Sequence, residues 1–413
     1  MSSASSFSRS ALLAFGFGTS VAMWTLGYLG RVPPAAMPGW LLGPLMLLCL
    51  PLGGYLAARS AGGGIARGAS AGLLASVLNL LILGSLLTEG TGWLWLPGSL
   101  LMGAALAAMG ALFAGKRDVP HRDFTPEFAY VTSAAAFLLL VAGGLVTSKD
   151  AGLAVPDWPN SFGNNMFLYP LSRMTGGIYF EHAHRLLGTL VGLSTLVLAI
   201  QLWRGSFSRG VKRLGLLALG AVIFQGILGG LRVTGRFTLS QDAAELAPSI
   251  VLAMLHGVLG QVFFAGLVLL AILSGSRWAD ARPRERDAVM KLSRAFVLIV
   301  IVQLALGVLV RHVSWGLWIH ISAAVIVLMA GLLAGARAWE AARGPAVKLG
   351  KILVALLLVQ VTLGTFAAFI IWTRESGEAP AWEVLLATAH QATGALILAI
   401  ATALAAWLYR EPA

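Results

Sequence analysis

Residues 179–192 read YFEHAHRLLGTLVG, and a glutamate, two histidines and an arginine occupy positions 181 to 185 of a run otherwise fit for lipid. In hydrocarbon each of those groups costs free energy and needs a partner or a task. The surrounding chain fixes the solvent. Of 413 residues, 58% are hydrophobic and 11% charged, and the mean hydropathy is +0.83, far above that of soluble domains. The chain is read as an all-α polytopic membrane protein, since each helix needs roughly 20 apolar residues to span the bilayer and no alternating barrel pattern is present.

Working outward, apolar windows predict twelve spans near 11–29, 39–58, 68–87, 93–114, 128–147, 179–203, 213–231, 249–274, 294–312, 315–338, 348–372 and 382–408. The net charge of +12 is carried by short loops, with no basic domain for nucleic acid. Arg59 and Arg67; Lys116, Arg117 and Arg122; Arg204, Arg209, Lys212 and Arg213; Arg277 through Arg294; and Arg337 through Lys351 all fall on one side. An excess of Lys and Arg marks the cytoplasmic face, so both termini are expected there, in a cell inner (plasma) membrane. The Ser-rich start, MSSASSFSRS, is read as a short cytoplasmic tail. On the opposite side Trp93, Trp95, Trp158, Trp315 and Trp382 lie near span ends, where indoles anchor at headgroup level. One outer loop, from about residue 147 to 177, is long enough to cover something. The single cysteine, Cys49, excludes an intrachain disulfide and any CxxC metal or heme site.

From residue 128 onward the chain repeats. LLLVAGGLVTS (138–148), IFQGILGGLRVTG (223–235), IVQLALGVLVRHV (301–313) and LVQVTLGTFAAFI (358–370) each close one helix, and a histidine-bearing helix follows each. Those histidines are His184, His256, His320 and His390. Two tandem four-helix halves account for their spacing, giving an expected division into 1–115, a four-helix N-terminal extension; 116–274, the first half; and 275–413, the second half.

Any one such histidine could be packing glue bonded across helices, but four at equivalent positions argue for a shared task. Zinc would want three or four converging ligands, with thiolate excluded here. Two imidazoles on facing helices of a bundle suit the axial positions of one heme, giving one heme site per half. Gly188, Gly192, Gly257, Gly260, Ala323, Ala324 and Gly394 would let a flat macrocycle approach the backbone, or serve ordinary small-residue packing. Glu181 stands one turn before His184 and four residues before Arg185, on one face, whereas His182 is rotated by about 200° from His184. Glu181 is either part of the chemistry or a counter-ion for Arg185. Its counterparts Ala253, Leu317 and Ala387 are apolar, so the halves are chemically unequal: one suits proton-coupled chemistry, the other electron transfer. Arg185, Arg232, Arg236, Arg311 and His312 are candidates for propionate or ion-pair contacts. His121 is read as a solvated loop residue.

GGLVTSKDAGLAVPDWPNSFG (143–163), the FEHAHRLLGTLVG helix with its E-x-x-H-R pattern, and the LHGVLGQ, IHISAA and HQATGA contexts together resemble the heme A synthase family over about residues 124–410. The resemblance implies an eight-helix core of two pseudo-symmetric four-helix bundles that oxidises the C8 methyl of heme O to a formyl group by successive hydroxylations. It implies that His184 and His256 hold the substrate heme, that Glu181 is catalytic, and that His320 and His390 ligate the iron of a heme b cofactor. Heme O synthase and terminal-oxidase assembly proteins are the partners it suggests. Two features depart from the family. Some members carry a cysteine pair in the outer loop, where this chain has Val155 and Phe162, and residues 1–115 lie outside the family core. The histidine pattern alone would equally serve a diheme b-type cytochrome that relays electrons without modifying heme.

Overall fold

The computed structural model describes residues 8–33, 36–87, 92–115, 119, 122–234, 247–283, 285, 287–341, 343–373 and 379–411. Lys116, Arg117, His121, Arg236, Arg284 and Arg286, considered above, lie outside these. Among the described residues twelve helices are long and apolar enough to cross a membrane: α1 (Arg9–Leu29), α2 (Gly39–Ala61), α3 (Gly64–Ile82), α4 (Gly92–Leu112), α5 (Thr125–Ser148), α6 (Gly176–Arg204), α7 (Arg209–Thr234), α8 (Ala247–Ser274), α10 (Ala288–Val313), α11 (Leu317–Ala341), α12 (Pro345–Thr373) and α13 (Ala381–Trp407), with a five-residue helix α9 (Ser276–Asp280) between α8 and α10. The expected all-α polytopic architecture is the observed one. Serine and threonine are tolerated inside these helices because their hydroxyls donate to the carbonyl one turn back, as Ser194 does to Leu190 and Thr195 to Val191, both at 2.7 Å.

The chain divides into two compact units, residues 1–138 with 159–206, and residues 139–158 with 207–413. In the first unit the extension is knit by backbone-to-backbone approach. A Cβ added at Gly54, Gly72 or Gly110 would run into the carbonyl of Ala107, Gly103 or Pro51 respectively, so α2, α3 and α4 meet at a distance that only small residues allow. Glycine is also needed at the α2–α3 turn, where Gly62, Gly63 and Gly64 take φ of 67°, 77° and 56° in succession, a left-handed run closed to side chains. This turn starts α3 four residues earlier than the apolar window suggested, and places Arg67, read as a loop cation, inside the helix and buried.

The extension does not stand apart from α6. In α1, Phe17 packs edge-on against Phe128 of α5 at 5.0 Å and Tyr28 stacks on Tyr179 of α6 at 5.6 Å. The Tyr179 hydroxyl donates to the Tyr28 carbonyl at 2.9 Å, and the Phe124 amide donates to Ser10 Oγ at 3.0 Å. Trp24 Nε1 donates to Asn79 Oδ1 at 3.0 Å, which satisfies both polar groups inside the apolar bundle.

In the second unit α10, α11, α12 and α13 pack in sequence, and α13 returns against α10, closing a four-helix ring. A two-residue antiparallel ladder pairs Arg282–Pro283 with Arg410–Glu411. Arg410 Nη1 also donates to the carbonyls of Ala281 and Trp278 at 2.7 and 3.2 Å, and its guanidinium lies over the Trp278 ring.

Gly72→Leu is expected to force α3 from α4 and cost at least about 1–3 kcal/mol by overpacking, lowering the unfolding temperature of the detergent-solubilised protein. Gly98→Ala in the same unit, where an added Cβ meets nothing, is expected to leave it unchanged.

Candidate functional site

Helix α6 carries the dense polar cluster in the first unit. Glu181 Oε1 accepts a hydrogen bond from Arg185 Nη2 at 2.6 Å, with side chains only 5% and 8% exposed. Arg185 Nη1 donates to the Asn160 carbonyl at 3.0 Å. A buried pair with this geometry is held by both charge and hydrogen bonding, and removing either member strands the other. His182, fully buried, turns into the loop between α5 and α6. Its Nδ1 lies 3.0 Å from Ser161 Oγ, and its ring packs on Tyr169 at 5.0 Å. Arg185 and His182 thus tie the hairpin of Asn160–Ser161 and Asn164–Asn165 to the start of α6. Phe162 and Gly163, with φ of 52° and 76°, form the turn of that hairpin. His184 is half-buried on the same helix.

In the second unit α11 and α13, which stand at opposite corners of the four-helix ring, bring His320 and His390 together with ring centroids 6.4 Å apart. Two imidazoles bound to one metal from opposite sides at about 2 Å each, the usual metal–imidazole length, would have centroids roughly 6 Å apart. Iron between two histidines is a donor set heme proteins use, and this pair fits it. Small residues make the approach possible. A Cβ at Gly307 of α10 or Gly364 of α12 would come within 3.0 Å of Cε1 of His320 or His390. His390 Nδ1 is buried with no hydrogen-bond partner among the described residues. Gly144 of α5 likewise packs against Thr388 on α13, two residues before His390, and Ser148 Oγ lies 3.3 Å from Thr388 Oγ1.

His256, on α8 in this unit, is half-buried, and a Cβ at Gly229 of α7 would lie 3.5 Å from its Cε1. Arg232, in the last turn of α7, is within electrostatic reach of both His256 and His312. Gly152 leaves room for the Arg232 guanidinium, since a Cβ there would sit 2.7 Å from its nitrogens. Arg311 is exposed at the end of α10, with His312 half-buried beside it. Trp158 lays its indole against Gly230 of α7 and is 40% exposed. Among the described residues no three or more His, Cys, Asp or Glu side chains converge to hold a metal ion.

Three side chains near the imidazoles were not singled out from sequence. Gln225, Gln303 and Gln360 each hydrogen-bond or abut the histidine of the following helix. The signal was present in the repeat, where each stands four residues before Gly229, Gly307 or Gly364, but a lone glutamine in an apolar run resembles ordinary interhelical packing.

A family model described as cytochrome oxidase assembly protein matches residues 126–320. The chain is 31% identical to the heme A synthase of Lysinibacillus sphaericus (strain C3-41) over 158 residues, covering 37% of this chain and 46% of that one. It is 31% identical to the heme A synthase of Alkalihalophilus pseudofirmus over 171 residues, covering 41% and 51%. A longer match, 26% identical over 273 residues, reaches 81% of the heme A synthase of Geobacillus kaustophilus (strain HTA426) and 59% of this chain. The chain spans about half the length of the first two of these relatives, and residues 1–125 precede the matched family segment. Residues 126–320 are thus similar to the family described as cytochrome oxidase assembly protein, and the matched stretches to heme A synthases.

Proposed function

We propose that this chain is a heme A synthase, a membrane oxidoreductase that converts the C8 methyl of heme O to the formyl group of heme A by successive hydroxylations. The observation that carries this reading is the inequality of the repeats. His320 and His390 face each other and have Leu317 and Ala387 one turn before them, whereas Glu181 stands one turn before His184, bonded to Arg185 at 2.6 Å. On this reading His320 and His390 hold heme b, which supplies one-electron chemistry when bound. His184 and His256 hold the heme O substrate, and Glu181 handles the protons that oxidation of the methyl releases. Arg185 fixes the Glu181 carboxylate and the outer loop at once. Arg232, Arg311 and His312 supply positive or hydrogen-bonding groups for propionates.

The same reading assigns residues 116–274 to the substrate half, 275–413 to the cofactor half, and 1–115 to an extension braced against α6. It places the cation-rich loops and both ends of the chain in the cytoplasm, with the protein in the plasma membrane beside heme O synthase and the assembly proteins of a terminal oxidase. A second reading, a diheme b-type cytochrome relaying electrons, is favoured by one observation: Glu181 is fully engaged by Arg185, as in a purely structural ion pair.

Expression in cells that make heme O, followed by heme extraction and mass analysis, separates the two. Heme A is expected, and its absence from a heme-loaded protein would establish the relay. Glu181→Gln is expected to keep its bound heme while losing formyl production, with the hydroxylated precursor accumulating. In His320→Ala the extract is expected to lose heme b; undiminished heme b would remove His320 from the ligand set.

A further inference from the structure

A glutamine and a glycine recur beside the imidazoles. Helices α7, α10 and α12 read QGILG (225–229), QLALG (303–307) and QVTLG (360–364), which puts the two residues one above the other on one helix face. The glycine meets the ring of the histidine on the next spanning helix, with the 3.0 to 3.5 Å approaches already described. The glutamine amide reaches the same residue. Gln303 Nε2 donates to the His320 carbonyl at 3.0 Å and lies 3.1 Å from its Nδ1. Gln225 Nε2 donates to the His256 carbonyl at 3.1 Å, and Gln360 Nε2 lies 3.4 Å from His390 Nε2. Glycine on the histidine helix makes room for the amide: a Cβ at Gly260 or Gly394, one turn after His256 or His390, would stand 3.3 or 3.5 Å from Nε2 of Gln225 or Gln360.

The other end of each amide is unused. Oε1 of Gln225, Gln303 and Gln360 is buried with no hydrogen-bond partner among the described residues. A buried acceptor left unmade is costly, and three at equivalent positions call for a common partner. Rotation about the last side-chain torsion exchanges the amide oxygen and nitrogen. An imidazole bound to metal through one nitrogen keeps a proton on the other and donates it to a carbonyl or carboxylate, which fixes the ring and makes it a stronger electron donor.

We propose that Gln303 is a positioning residue for His320. Turned about its last torsion, its amide exchanges the bond to the His320 carbonyl for one in which its oxygen accepts the Nδ1–H of the ligand imidazole, while Gly307 lets the ring stand flush against the neighbouring helix. The inference rests on the reading of these histidines as axial ligands of heme b. The fourth copy of the motif, LVAGG (140–144), keeps the glycine but puts Leu140 in place of glutamine. Stronger donation stabilises oxidised iron, so the acceptor at Gln303 holds the potential of the cofactor heme down.

The test is potentiometric titration of the purified, heme-loaded full chain, with electron paramagnetic resonance of its low-spin iron. Gln303→Leu, which copies the fourth repeat, is expected to retain heme b, raise its midpoint potential and shift its low-spin signal. Gln303→Glu, which restores an acceptor, is expected to return the potential to the parent value or below. A parent-like potential and spectrum in Gln303→Leu would overturn the proposal, as would a rise in Gln303→Glu equal to that in Gln303→Leu. Should the leucine variant fail to fold, Gln303→Met, of similar length and without the amide, is read by the same criteria. A parent chain that purifies without heme b would instead overturn the ligand reading itself, and heme extraction shows that before any potential is measured.

Discussion

Hydrocarbon offers no hydrogen bonds, and the rest of this structure follows from that constraint. Backbone groups retreat into helices, serine and threonine hydroxyls donate to the carbonyl one turn back, and each remaining polar side chain must find a partner within the protein. Trp24 and Asn79 satisfy each other, as do Glu181 and Arg185, at 3.0 and 2.6 Å. What the bilayer makes expensive therefore becomes legible: histidines, carboxylates and buried amides persist where they are matched or where they serve chemistry.

Glycine meets this constraint in two ways. In the extension, glycines bring α2, α3 and α4 to backbone contact, and in the C-terminal ring Gly335 and Gly350 do the same for α11 and α12. Gly307 and Gly364 instead face imidazoles, those of His320 and His390. The same residue type serves close packing in one place and leaves room for a ring in the other. A glycine count in the sequence cannot separate these uses, because the difference lies in what stands opposite.

Helix content was plain from sequence because twenty-residue apolar runs have few alternative structures in a membrane. Several windows, such as 39–58 against Gly39–Ala61 and 382–408 against Ala381–Trp407, differ from the helices by only a few residues. The larger slip was in α3, where the apolar window ran to residue 87. The left-handed glycine run starts the helix at Gly64, Leu83 leaves helical geometry with ψ of 47°, and residues 84–87 form a separate 3-10 turn. The histidine quartet was legible because a rare residue repeated at fixed offsets. The tie between His182 and Ser161 was not, since a loop twenty-one residues away in sequence leaves no periodic trace. The three glutamines were visible as letters, but their role depends on the ring each amide meets across a helix boundary.

The ladder between Arg282–Pro283 and Arg410–Glu411 joins the segment that enters the α10–α13 ring to the segment that leaves it. Arg410 reinforces that clasp through the carbonyls of Ala281 and Trp278 and through its place over the Trp278 ring. The ring is thereby closed along the chain as well as in space, like a bracelet with its catch fastened. The ring is thus fastened twice, by the packing of α13 on α10 and by the pairing of the segments that flank them, so fraying of either end of the ring must first undo the ladder.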